Sequence, residues 1–418
     1  MSTDTPSNDI ASLMAHLDAS VSPRHSVAHV AADLGRSGFS RIDDVSAALP
    51  RLGYLERGGL LLAWVRGSGS TFRIAGAHTD SPCLRLKPQP EISQHRWRQW
   101  GVEVYGGILN NSWLDRDLGV AGVVVDDRGR AHLVRSPGPV ARVPQLAVHL
   151  DREVNDRGLI LDRQSHLLPV VGTAESPGSF TQLIAQWAGL DASSVVSFDL
   201  SLFDVQPAAL IGISQDLLAS GRIDNQVSCW AAAGALIERS RVDSEETAVI
   251  ALFDHEEVGS ESTTGASGPW LEWILEALHD GTRSSFHAAL AASACLSVDC
   301  AHGVHPNYPE RHDPVNRPHV DQGPVIKTNA NQRYATSAET AALFTRACFS
   351  VDVPCQSFVS RNNVACGSTI GPLASTRLGV PTVDVGISQL SMHSARELCG
   401  THDPGMLRRA IGAFFAQR

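Results

Sequence analysis

An α/β layer domain interrupted by a β-rich insert is the architecture that this sequence predicts. Three observations carry it. From Gly221 onward, helix-like and strand-like segments alternate, which is the pattern of a layered α/β fold. The run TAVIALFD at 247–254 is apolar almost throughout, as expected of a strand buried on both faces. Between about 88 and 212 the character changes to short β-branched runs separated by turn signals. The reading is one discontinuous domain, 1–87 with 213–418, and a second domain, 88–212.

Each element follows from local pattern. Ile10, Leu13, Met14 and Leu17, then Val27, Val30 and Leu34, have helical spacing, broken at Ser22-Pro23 and at Gly35. The segment 59–78 turns to strands: GLLLAWVRG, a Gly-Ser turn, then TFRIAGAH. In the insert, GVEVYG, VAGVVVDD and AHLVR read as strands. Asp126-Asp127 and Arg128-Gly129 mark turns, and a helix is expected over 179–190. Beyond it, QVSCWAAAGALIERS and WLEWILEALHD are helical, while ACLSVD and VPTVDVG are strands.

Bulk properties narrow the function classes. A hydrophobic fraction of 43% with 19% charged residues is that of a globular protein. The apolar run at 60–65 is far too short to span a bilayer. Residues 1–20 are polar and acidic, with no basic segment leading into an apolar stretch, so no secretory signal and a cytoplasmic location are expected. A net charge of -10 argues against nucleic acid or an anionic membrane as partner, because both reward clustered Lys and Arg. It leaves room for an acidic ligand, since one buried cation overrides the global sign. The 8 cysteines include no C-x-x-C pair and read as reduced, mostly buried thiols.

The chemistry sits where apolar strands run out, which is where ligands collect in α/β domains. IAGAHTD ends on His78 and Asp80, LFDHEEVGS on Glu256 and Glu257, and LSVDCAH on Asp299 and His302. RIDN sets Asp224 at a helix start, and SMHSARE places His393 after the last strand. Taken singly these have bland explanations: a structural histidine, a solvated Glu-Glu turn, an N-cap aspartate. Five candidate ligands at five separate element ends are poorly explained as independent caps. Two divalent ions about 3.5–4 Å apart activate water and polarise a carbonyl. Such a pair needs a bridging carboxylate, for which Asp224 is the candidate, and an imidazole and a carboxylate for each ion. His78, Asp299, Glu257 and His393 supply these, and sequence alone leaves the pairing open. A general base must not itself be a ligand. Glu256 fits, because neighbouring side chains on an extended turn point apart. Asp80, two residues past His78, is placed to fix the imidazole's tautomer.

At this point the sequence resembles a known family. GAHTDSPCLRLKP, YGGILNNSWLDRDLGVAG, RIDNQVSCW, LFDHEEVGSES, SVDCAHGVHPNYPERH, GPVIKTNANQRYAT, CGSTIGPLASTRLG and SQLSMHSARE are similar to segments of the aspartyl aminopeptidases, the M18 metallopeptidases. The matching segments span nearly the whole chain in the same order. The resemblance implies a two-metal aminopeptidase-type α/β sandwich with an inserted β-rich dimerisation domain. It implies two divalent ions, zinc foremost with cobalt or manganese as alternatives, held by His78, Asp224, Glu257, Asp299 and His393 with Asp224 bridging. Glu256 becomes the general base and Asp80 the orienting acid.

The resemblance adds residues that pattern alone would not select. His149 is implied to reach into a neighbouring subunit's active site, within a tetrahedral homododecamer built from dimers that admits peptides and excludes folded proteins. His302, Lys327 and Tyr334 match substrate-contacting positions, with Lys327 facing the side chain of an N-terminal Asp or Glu. Without the family, His149 is a strand histidine and Lys327 a solvated strand end. Two positions depart: His255 precedes the glutamate pair where Asn is frequent, and Gln145 stands where some relatives carry His. The function implied is removal of N-terminal residues, preferentially Asp or Glu, from peptides with a free N-terminus. The competing readings are the same mechanism with a neutral preference, a deacylase, and a non-catalytic assembly protein on this scaffold.

Overall fold

The computed structural model describes residues 8–45 and 48–417. Its centre is a nine-stranded sheet in the order Ser40–Ile42, Leu52–Arg57, Leu60–Val65, Thr247–Phe253, Phe72–His78, Ala294–Val298, Thr382–Gly386, Val325–Thr328, Gln356–Val359. The strands from Thr247–Phe253 to Thr382–Gly386 run parallel to one another, while Leu60–Val65 and Val325–Thr328 flank them antiparallel.

The continuous apolar runs have a direct cause. In Thr247–Phe253, Ala248, Ile250 and Leu252 pack into one core, and Val249, Ala251 and Phe253 into the other. Leu60–Val65 alternates in the same way, with Leu61, Ala63 and Val65 on one face and Leu60, Leu62 and Trp64 on the other. Helices Asn8–Ala19, Pro23–Arg36, Ile223–Arg239, Ala338–Phe349 and Asp403–Ala416 cover the first face. Trp270–His279, Arg283–Ala291 and Ile370–Leu378 cover the second. Each fully buried Leu, Ile or Phe in these layers contributes about 1.5–3 kcal/mol of transfer free energy. The pause at Ser22-Pro23 is a helix start: the Ser22 hydroxyl accepts the His25 N–H, and proline occupies the first turn, where its missing N–H costs nothing.

A separate six-stranded antiparallel sheet orders Ala131–Arg135, Leu118–Asp126, Val195–Asp204, Cys83–Gln94, Trp97–Tyr105, Val170–Thr173. Helix Phe180–Ala188, closed by a Ser179–Gln182 capping box, packs on it through Phe180 and Ile184. Its first strand starts at Cys83, ahead of the change of character read near 88, and its last ends at Asp204. A third sheet has five strands in the order Ala209–Ile211, Leu217–Ser220, Glu397–Gly400, Ser388–Leu390, Ala301–His302. Among the described residues no helix is long and apolar enough to cross a membrane.

Candidate metal centre

Parallel pairing brings the predicted residues to one edge. Phe253 pairs with His78, so the chain leaving Thr247–Phe253 carries Glu256 and Glu257 past the end of the strand Phe72–His78. On the other side Ala294–Val298 ends just before Asp299. Strand Thr382–Gly386 comes so close that a Cβ on Gly386 would lie 1.8 Å from the Asp299 carbonyl oxygen, which requires glycine there. Asp224 does not cap its helix. It leaves the helical region at φ -78, ψ 105, and the Asp224–Asn225 peptide is cis.

Both imidazoles are turned by backbone carbonyls. His78 Nδ1 lies 3.1 Å from the Asp80 carbonyl oxygen and His393 Nδ1 3.1 Å from that of Gly107. A carbonyl only accepts, so each Nδ1 carries the proton and each Nε2 is free to act as a ligand. The two Nε2 atoms face one carboxylate: His78 Nε2 is 3.5 Å from Asp224 Oδ1, and His393 Nε2 is 3.6 Å from Asp224 Oδ2. His78 Nε2 also lies 3.7 Å from Asp299 Oδ1, and His393 Nε2 lies 3.4 Å from Glu257 Oε1. By distance, His78 lies with Asp299 and His393 with Glu257.

The donor set fits a cation. These separations exceed ordinary hydrogen bonds and match two ligands each about 2 Å from a shared zinc. Asp224 is buried, and its Oδ1 has no hydrogen-bond donor, a costly state for a carboxylate oxygen without a counter-ion. His78, Asp224 and Glu257 each offer a ligand atom within 4.8 Å of the others. Burial first, then the charges of Asp299, Glu257 and Asp80, push the Glu256 carboxyl up to about 8 against the pull of His78. Burial and then Asp224 push Glu257 up to about 7 against the pull of His393. Such crowding of buried negative charge is what a divalent cation offsets.

Two further buried carboxylates hold the candidate residues from behind. Asp80 Oδ1 accepts the Glu256 N–H and Oδ2 the Glu257 N–H, each at 3.1 Å, while the Tyr105 hydroxyl donates to Oδ2 at 2.8 Å. Its carboxylate also lies 3.4 Å from His78 Nδ1, although the nearer acceptor for that nitrogen is its own carbonyl. Glu397, at the start of its strand and 2% exposed, accepts the Asp224 N–H through Oε2 at 3.0 Å and the His393 N–H through Oε1 at 2.7 Å. His393 needs this grip. Its φ of +68 lies in the left-handed region, which costs a non-glycine residue about 1–2 kcal/mol. The Leu109 N–H donates to its carbonyl at 3.0 Å, so the chain leaving Trp97–Tyr105 also fixes it.

Sequence reasoning missed Glu397, Tyr105 and the Gly107 carbonyl. The one available signal was an acidic residue opening the otherwise apolar strand ELCG, four positions past His393.

The remaining predicted residues divide. Lys327 is no solvated strand end: it is 2% exposed, donates to the Cys300 carbonyl at 3.1 Å, lies 3.5 Å from Asp299 Oδ2 and sits 5.1 Å over the Tyr334 ring. Its ammonium is directed at a candidate ligand, and Tyr334 is buried beneath it. His302 lines a cavity that begins at Met392, next to His393. His149 lies in an exposed stretch, and among the described residues no hydrogen bond or ion pair joins it to the cluster. His255 turns to the Ser262 hydroxyl, 2.9 Å from Nδ1. Gln145 is exposed, its N–H donated to Asp115.

A model of the family described as "Aminopeptidase I zinc metalloprotease (M18)" matches residues 16–415. The chain is 46% identical over 415 residues to the probable M18 family aminopeptidase 2 of Streptomyces coelicolor, covering 96% of each. It is 42% identical to the protein of that description from Pseudomonas fluorescens, covering 97% of each. Among solved structures it is similar to a chain of the Ape4 and Nbr1 complex, with TM-score 0.93, 34% identity, and 97% of this chain and 85% of that one covered. It is also similar to the S. cerevisiae mApe1 dodecamer, with TM-score 0.85, 27% identity, and 98% and 97% covered.

Proposed function

The chain belongs to the M18 family of zinc aminopeptidases, and from that premise we propose a two-ion centre that hydrolyses N-terminal peptide bonds with a preference for Asp and Glu. The observation that carries the two-ion reading is Asp224, whose two carboxylate oxygens face the Nε2 atoms of His78 and His393 separately. His78 with Asp299 would hold one ion, His393 with Glu257 the other, and Asp224 would bridge them. Zinc is foremost, with cobalt or manganese as alternatives. When bound, the ions supply Lewis-acid polarisation of the scissile carbonyl and lower the pKa of the attacking water.

The chain's own residues do the rest. Asp80 and Glu397 fix the backbone amides of the base Glu256 and of the three ligand candidates Glu257, Asp224 and His393 before substrate arrives. Glu256 Oε2, 4.0 Å from His78 Nε2, borders the group formed by His78, Asp224 and Glu257. It takes the proton of the attacking water and passes it to the nitrogen of the leaving peptide as the C–N bond breaks. The substrate's free amine is placed against Asp299, which limits the reaction to chain ends.

The division into a proteolytic domain, 1–87 with 213–418, and a dimerisation domain, 88–212, is part of the same proposal, supported by the self-contained six-stranded sheet. So is assembly from dimers into a homododecamer. Leu146, Val148, Leu150 and Ile160 are 58%, 49%, 75% and 83% exposed around His149, and such apolar exposure calls for a covering surface. His149 would then complete the partner's site.

The test is hydrolysis of Asp-, Glu-, Ala- and Leu-linked chromogenic substrates by protein stripped of metal and then restored with zinc, cobalt or manganese. Metal-dependent cleavage led by Asp or Glu is expected. Cleavage led by Ala or Leu would keep the mechanism and discard the acidic preference. No cleavage with any metal would favour a non-catalytic assembly protein.

A further inference from the structure

Side chains from the first turns of one helix grip one half of the centre. Asn225 and Gln226 follow Asp224 directly at the start of Ile223–Arg239, and both are fully buried. A buried amide N–H needs an acceptor. Asn225 Nδ2 donates to the Val298 carbonyl at 2.8 Å, and Gln226 Nε2 donates to the Thr79 carbonyl at 2.7 Å. Val298 immediately precedes Asp299, and Thr79 immediately follows His78. Further along the same helix, the Cys229 thiol donates to the His78 carbonyl itself at 3.0 Å. All three contacts fall where the strands Phe72–His78 and Ala294–Val298 end, and there His78 and Asp299 approach to 3.7 Å. The Glu257 and His393 amides are held from other parts of the chain, by Asp80 and Glu397.

The Gln226 amide is aimed from behind. Its Oε1 accepts the Ser26 hydroxyl at 2.6 Å, and His16 Nε2 lies 3.2 Å from the same oxygen. An amide oxygen only accepts, so this imidazole nitrogen carries the proton. Ser26 and His16 are buried on the helices Pro23–Arg36 and Asn8–Ala19. With Oε1 fixed on that side, the NH2 group points to Thr79. A continuous set of hydrogen bonds therefore joins the two N-terminal helices to the residue beside His78.

We propose that Asn225 and Gln226 are positioning residues for the ion that His78 and Asp299 would share. Through the Val298 and Thr79 carbonyls they set the separation of those two side chains, and the ion at Glu257 and His393 is independent of them. The assignment rests on the two-ion reading proposed above.

Zinc is titrated into metal-stripped wild type, Gln226→Met and Asn225→Leu against a chelating indicator, with circular dichroism as the check on folding. Both substitutions keep the bulk of the side chain and remove its N–H groups. The wild type should take up two equivalents. In each variant one equivalent should bind about 10- to 100-fold more weakly, as when a group behind a ligand is lost, while the other keeps its affinity. Glu257→Gln identifies the affected equivalent: alone it should leave one tight equivalent, and combined with Gln226→Met it should leave none. Ser26→Ala, a small change that frees the Gln226 oxygen, should weaken the same equivalent by a smaller factor, and it decides the matter if the amide variants do not fold. Equal weakening of both equivalents, no weakening, or a tight equivalent that survives in the double variant overturns this assignment alone. A wild type that takes up a single equivalent overturns it together with the two-ion reading.

Discussion

Glu397 holds His393 by its backbone: Oε1 accepts the His393 N–H at 2.7 Å. The same carboxylate accepts the Asp224 N–H through its other oxygen, so one buried group fixes two candidate ligands that lie far apart in sequence. A glutamine there can accept from one amide only and would set its own NH2 against the other. Glu397→Gln should weaken zinc binding about 10- to 100-fold, the usual cost of removing a partner behind a ligand. Titration against a chelating indicator reads this directly, and an unchanged affinity would show that His393 and Asp224 hold their places without it.

Glu256→Gln separates base from ligand. The amide keeps the size of the side chain and cannot take a proton. kcat should drop by about a hundredfold to ten-thousandfold while the bound-metal count stays at the wild-type value. A variant that lost metal instead would make Glu256 a ligand.

Lys327→Met tests whether this ammonium serves Asp299 or the substrate. With the cation removed, Asp299 keeps its place near His78 but loses its nearest ammonium. The variant should lose about 10- to 100-fold in kcat/KM on every substrate, acidic or neutral, as for other groups that support a ligand. A loss confined to Asp- and Glu-linked substrates would instead assign Lys327 to the acidic side chain of the substrate.

His149 is tested by mixing. His149→Ala subunits should be nearly inactive while light scattering still reports the wild-type assembly. Subunits carrying Glu256→Gln should be inactive for a different reason. If His149 acts across the dimer, hybrids of the two contain sites with an intact base from one chain and an intact His149 from the other. Co-assembled mixtures should regain activity beyond the sum of the parts, and a mixture with no gain would place His149 within its own subunit's function or outside catalysis.

The legible parts of this molecule were those set by local pattern. Thr247–Phe253 is readable because both its faces are buried, and the candidate residues Glu256 and Glu257 because polarity returns where the strand stops. The helix starts at Pro23 and Phe180 are written in Ser22-Pro23 and Ser179. What pattern could not reach depends on contacts between distant segments. Asp80 lies two residues past His78, which suggested a bond to the imidazole, but not that its carboxylate would also receive the Glu256 and Glu257 amides from the 3-10 turn after Thr247–Phe253. Glu397 works through a bond to Asp224, 173 positions away. Lys327 follows an apolar run that suggested an exposed strand end, but the antiparallel pairing of Val325–Thr328 with Thr382–Gly386 carries it inward, beside Asp299.

Each of these outcomes depends on Asp224 bridging two ions. The most direct measurement is metal content per chain, by inductively coupled plasma mass spectrometry, for zinc-saturated wild type and Asp224→Asn after removal of excess metal. Two equivalents per wild-type chain and no more than one in the variant are expected. A single equivalent in the wild type, unchanged by the substitution, would contradict it.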